Sequence, residues 1–168
     1  KEIYGSFKYA GEILVSAYAK RYSIDSVICR PSAVYGPGDD NRRVIQSLLS
    51  NAINGNSMKV YNGAETFLDF TYVDDLANSL IAIALYENKF SAEIFNVTRG
   101  KARSLLEVAN LIKNIVPGST IKETINKEDF RPKRGTLNCE KIQNIIGYIA
   151  KIDLEEGLPI YKKYLFNE

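Results

Sequence analysis

Over positions 4–22 the apolar residues Phe7, Ala10, Ile13, Leu14, Ala17 and Tyr18 recur at close to 3.6-residue spacing, which predicts one long helix ending at Ser23-Ile24-Asp25. Val27-Ile28-Cys29 is short, apolar and flanked by polar residues, as a buried parallel strand is. The turn formers of Tyr35-Gly36-Pro37-Gly38-Asp39-Asp40-Asn41 predict a loop. Helical spacing returns over 43–53 and stops at Asn54-Gly55. Residues 58–61 and 66–72 read as short strands on either side of Asn62-Gly63. Asp74 or Asp75 is expected to cap a helix running to Tyr86, followed by a strand over 94–97. Ser104 and Glu107 have capping-box spacing, opening a helix that ends near Pro117-Gly118. Residues 121–125 suggest a strand and 131–135 a basic loop. Helices are expected over 139–146 and 153–165, the latter with a second box at Asp153 and Glu156.

Strands alternating with helices indicate an α/β protein built largely on parallel pairing. The 168 residues are 45% apolar and 25% charged, which fits an ordinary globular domain and argues against wholesale disorder. A net charge of +2 without a basic block gives no electrostatic case for nucleic acid. The absence of histidine removes His-based triads, His general bases and His-containing zinc sites. The two cysteines, Cys29 and Cys139, are too few for a disulfide framework or a four-Cys metal site. They read as buried thiols in a reducing, cytoplasmic setting, and no metal is expected. The longest apolar run, 80–86, falls far short of the roughly 18 residues of a membrane span. The chain starts at Lys1, without a methionine and almost directly in a helix, so a fragment is expected.

Tyr4 and Lys8 lie four apart and share one helical face. An ammonium a few ångströms from a phenol favours phenolate, by at most about 4 kcal/mol at 4 Å and an effective dielectric of ~20. A phenol so assisted can exchange a proton with a hydroxyl or carbonyl. With 11 tyrosines in the chain, about one Tyr-x-x-x-Lys arises by chance, so the pair means little without its context.

That context is an ordered series. Tyr4-Gly5-Ser6-Phe7-Lys8-Tyr9-Ala10-Gly11-Glu12 is followed by Arg30-Pro31-Ser32-Ala33-Val34-Tyr35-Gly36-Pro37-Gly38-Asp39. Then come Asp69-Phe70-Thr71-Tyr72-Val73-Asp74-Asp75-Leu76-Ala77, Phe95-Asn96-Val97 and Arg131-Pro132. The series resembles the C-terminal half of the extended short-chain dehydrogenases/reductases, the NAD-dependent epimerase/dehydratase family acting on nucleotide sugars. The resemblance implies a fold made of the C-terminal part of a Rossmann-type parallel sheet plus a small α/β substrate-binding lobe. Residues 1–35 would be a remnant of the cofactor domain. Residues 36–168 would be mainly the substrate lobe, with 74–97 returning a helix and strand to the sheet.

The resemblance also implies roles. Tyr4 would be the catalytic acid/base, and Lys8 would bind the nicotinamide ribose while easing loss of the tyrosine proton. Pro31, Ser32 and Val34 would lie beside the cofactor, NAD rather than NADP. Ala33, Arg43, Lys59, Val60 and Tyr61 would face the substrate, a nucleotide-diphosphate sugar, with 59–61 along the base. Arg131 would pair with the diphosphate, a task suited to a guanidinium fork. On pattern alone Tyr61 and Phe95 read as core, and Asp69 either as a substrate contact or as a structural acceptor.

Departures from the family pattern accompany these matches. The family's Gly-x-x-Gly-x-x-Gly loop, which approaches the cofactor pyrophosphate, is not found in the 168 residues. The Ser/Thr that assists the tyrosine would lie before Lys1. Ala33 stands where many relatives have Asn, and Leu68 where many have Arg. The loop Arg131-Pro132-Lys133-Arg134 replaces the common Arg-Pro-Gly-Asp, so diphosphate binding is open to Lys133 or Arg134. The expectation is an epimerase or dehydratase segment, UDP-glucose 4-epimerase-like, inactive alone and homodimeric through its first helix when complete. The alternatives are a non-catalytic nucleotide-sugar-binding or scaffold module, which retention of Tyr4 and Lys8 disfavours, and one half of a two-chain enzyme.

Overall fold

The computed structural model describes residues 3–39, 41–125 and 133–166. Helix α1 (Ile3–Tyr22) lies against a parallel pair formed by β1 (Ser26–Arg30) and a later strand, β6 (Ser91–Asn96). Their register slips between Ser26 and Val27, opposite Ala92, whose φ of 54° accommodates the extra residue. Helix α3 (Val73–Ala84) leads into β6, and α5 (Glu140–Ile146) packs on it. Ile83, Phe95, Val97, Cys139 and Ile142 form a small core there.

The larger core lies in the other half of the molecule. Helix α2 (Val44–Ile53) buries Ile45, Leu48, Leu49 and Ala52, and α4 (Leu105–Ile115) buries Leu105, Val108, Ala109 and Ile112. Both sets follow i, i+3, i+4, i+7, the stripe that turns one helical face inward. Between them runs β3 (Met58–Tyr61), which alternates buried Met58 and Val60 with exposed Lys59 and Tyr61. Each fully buried large apolar side chain contributes about 1.5–3 kcal/mol. Helix α6 (Leu154–Leu165) closes this core with Leu154, Leu158 and Tyr161.

The fold class is α/β as expected, and among the described residues three of the four strand pairs are parallel. β3 does not pair with its neighbour β4 (Phe67–Asp69); it runs parallel to β8 (Ile121–Thr124). β4 runs antiparallel to β7 (Ala102–Ser104), and two-residue β2 (Val34–Tyr35) runs parallel to β5 (Thr71–Tyr72). Gly36, immediately after β2, has φ +134°. A Cβ there would stand 2.7 Å from the Val73 Cγ1, so the position requires glycine.

The Ser104–Glu107 capping box is present in full. Asp153 caps α6 through the Leu154 N–H at 2.9 Å, and Glu156 completes no box with it. Neither Asp74 nor Asp75 caps α3, whose N-cap is Tyr72. Asp75 reaches across instead, accepting the N–H groups of Lys151 and Ile152 and the Tyr148 hydroxyl. A buried carboxylate with three such donors ties α3 to the segment between α5 and α6. Both cysteines are free thiols; Cys139 is buried and Cys29 half-buried. Among the described residues no helix is long and apolar enough to cross a membrane.

Candidate active site

Tyr4 lies in the first turn of α1 with 68% of its surface exposed. Lys8 follows one turn later, its Nζ 5.7 Å from the Tyr4 ring centroid. The pair is therefore close and open to an approaching ligand. Where α1 stands relative to β1 is fixed midway by Arg30, whose guanidinium donates to both oxygens of Glu12. That contact holds the Glu12 carboxyl below its usual range.

Beyond Arg30 the chain leaves β1 through Pro31, Ser32 and Ala33. The Thr71 N–H donates to the Ala33 carbonyl at 3.2 Å, extending the β2–β5 pairing backward. This turn forms one wall of a cavity of about 740 Å³, and Tyr4 stands at another. Val44 and Ile45 at the start of α2, with Leu68 and Phe70, make the wall between them apolar. Arg43, Lys133 and Arg134 add three cationic side chains. Arg43 has a loose partner in Asp39, at 3.9 Å. An apolar recess rimmed by cations, with a phenol at one side, suits an organic anion whose hydroxyl is to be deprotonated.

Six of the residues expected from the sequence thus meet here: Tyr4, Pro31, Ser32, Ala33, Val34 and Arg43. Lys8, with its Nζ over the Tyr4 ring, does not itself line the cavity. Strand β3 is elsewhere. Val60, 1% exposed, packs in the main core, and Lys59 and Tyr61 face outward from that strand. Arg131 lies outside the described residues. Asp69 is not at the cavity wall. It is a buried acceptor for the Thr98 hydroxyl and for the N–H groups of Gly100, Lys101 and Leu137. Phe95 is fully buried.

The wall itself has no signature in the sequence. Leu68, Phe70 and the segment 133–137 line the cavity, although only the charges of Lys133 and Arg134 were visible as candidates. Among the described residues no cluster of His, Cys, Asp and Glu could hold a metal ion.

The family model described as "NAD dependent epimerase/dehydratase family" matches residues 1–98. Probable GDP-L-fucose synthase 1 of Oryza sativa subsp. japonica is 30% identical over 178 residues, covering 99% of this chain and 53% of that protein. A UDP-glucose 4-epimerase of Thermotoga maritima, solved with UDP-glucose, superposes with a TM-score of 0.85 at 25% identity, over 98% of this chain and 53% of that one. The dTDP-glucose 4,6-dehydratase of Bacillus anthracis, solved with NAD, shares the fold at TM-score 0.87 and 23% identity, over 100% of this chain and 53% of that one. The chain spans about half the length of these relatives. With the family match running from the Tyr4–Lys8 helix through the Pro31 turn and on past β6, the chain belongs to the NAD-dependent epimerase/dehydratase family.

Proposed function

We propose that this chain carries the acid/base and substrate-binding part of an NAD-dependent nucleotide-sugar epimerase or dehydratase, with 4-epimerisation of a UDP-sugar as the favoured reaction. The observation that carries this reading is the exposed Tyr4, one turn from Lys8, opening onto a cavity lined by Arg43, Lys133 and Arg134. The relatives of known ligand support it, since one was solved with UDP-glucose and another with NAD.

The residues present fit a dinucleotide. Pro31, Ser32 and Val34 share the cavity with Tyr4, and the exposed Lys8 leaves its ammonium open to ribose hydroxyls. Bound NAD supplies hydride transfer at the sugar carbon. Tyr4 Oη, acting as the phenolate that the neighbouring Lys8 charge favours, takes the proton of the sugar hydroxyl and becomes the neutral phenol. Arg43, Lys133 and Arg134 hold the diphosphate, and Ala33, Leu68 and Phe70 keep water from the sugar. The 168 residues contain no glycine-rich pyrophosphate loop, so this segment by itself does not turn over NAD. The complete enzyme pairs as a homodimer through α1, on which Phe7, Leu14 and Tyr18 are exposed.

The test is Tyr4→Phe in the complete enzyme. Turnover falls by roughly 10²–10⁴-fold, the scale of general acid–base catalysis, while UDP affinity is unchanged. A loss of less than about threefold removes Tyr4 from this role. Micromolar binding of NAD to the 168-residue chain, read by titration, overturns the account of the segment alone.

A further inference from the structure

Residues 133–139 form a strap without helix or strand, so no backbone ladder sets their position. Five consecutive members, Lys133 to Leu137, nonetheless line the cavity. Side-chain to backbone bonds hold the strap. The Leu137 N–H donates to Asp69 Oδ2 at 3.1 Å, and the Ala102 N–H to the Thr136 hydroxyl at 3.0 Å. Asp69, only 1% exposed, also takes the Thr98 hydroxyl at 3.0 Å and the Gly100 N–H at 3.1 Å. One buried carboxylate thereby joins β4, the turn after β6 and the strap.

Burying a carboxylate costs several kcal/mol unless donors converge on it. An apolar side chain would fill this space at lower cost, whereas an anion makes charge-assisted bonds that fix direction as well as contact. The direction fixed here is that of the strap, and the strap carries Lys133 and Arg134.

We propose that Asp69 is a positioning residue for anion binding: it clamps the strap so that Lys133 and Arg134 stand at the cavity. The role rests on the diphosphate reading given above, while the clamp itself does not.

Two measurements on the 168-residue chain carrying Asp69→Asn separate these. Amide hydrogen exchange at Leu137, Gly100 and Lys101 speeds up by about tenfold or more, while Val108 and Ile112 in α4 keep their protection. UDP titration shows Kd rising by about tenfold, and Asp69→Asn added to Lys133→Ala/Arg134→Ala weakens binding no further. A merely structural anchor would leave Kd unchanged or give additive losses, and either result overturns the positioning role. Unchanged exchange at Leu137 overturns the clamp. Failure of the unaltered chain to bind UDP overturns the diphosphate reading, and is told apart because the exchange pattern still reports the clamp. Should Asp69→Asn not fold, Leu137→Pro deletes the strap's donor alone, with exchange read at Thr136 and Asn138 and the same UDP criteria.

Discussion

Arg30 grips Glu12 at two points, Nε to Oε1 at 2.7 Å and Nη2 to Oε2 at 2.5 Å. The contact joins the last residue of β1 to the middle of α1. It therefore connects the two elements that carry the phenol and the Pro31–Val34 wall of the cavity.

Glu12→Gln removes the charge and keeps the shape. Both partners are partly exposed, so the loss is about 0.5–1 kcal/mol by urea denaturation at neutral pH. The sign with pH follows from the lowered carboxyl. Its stabilisation is present above the ordinary value of 4.5 and is lost as pH falls through the folded value. The gap between wild type and variant accordingly closes in acid. A gap that widens there contradicts the assignment.

Gly157 and Gly11 are both helical glycines with opposite surroundings. A Cβ on Gly157 would lie 2.2 Å from the Tyr35 hydroxyl and 3.0 Å from Tyr72 Cδ2, where α6 meets β2 and β5. Gly157→Ala thus destabilises by about 1–3 kcal/mol through overpacking. Gly11 has nothing within 4 Å, so Gly11→Ala stabilises the 168-residue chain by about 0.5–1 kcal/mol. Thermal melts of the two variants should move in opposite directions.

The alkaline limb of stability reports on Tyr148. Its hydroxyl donates to the Asp75 carbonyl at 2.8 Å, and burial together with the Asp75 charge pushes the phenol well above its ordinary 10. A raised value means that this stabilisation is complete below pH 10 and is lost as pH rises toward the folded value. Tyr148→Phe flattens part of that decline. Burial also raises Tyr35, so some slope survives in the variant. Wild-type stability that stays level from about pH 9 to about pH 12 contradicts both assignments.

Elements with a long period were legible in the sequence. Helix α1 was expected to begin at Tyr4 and begins at Ile3; α2 and α4 follow from stripes of four inward residues. Strand partners were not legible. β2 and β5 have two residues each and therefore no period, and β3 pairs with β8 from some sixty positions away. Asp75 misled because an acidic residue in a first helical turn has the same local signature whether it caps or reaches elsewhere. At the site, Tyr4, the Pro31–Val34 turn and Arg43 were visible as chemistry. Leu68, Phe70 and Leu137 were not, because an apolar wall residue and a core residue look alike until the chain folds.

Helix α1 has 20 residues, and only Ala19 among its described side chains is fully buried. From Ala19 to Tyr4 is about 22 Å along the axis at 1.5 Å per residue. Such an arm converts small rotations into large displacements: a tilt of about 5° about Ala19 would carry the phenol through about 2 Å, on the scale where misplacement costs two orders of magnitude in rate. The brace at Glu12 shortens the free lever by about half. The outer flank of this helix therefore bears on where Tyr4 stands at the cavity as much as the groups beside the phenol do.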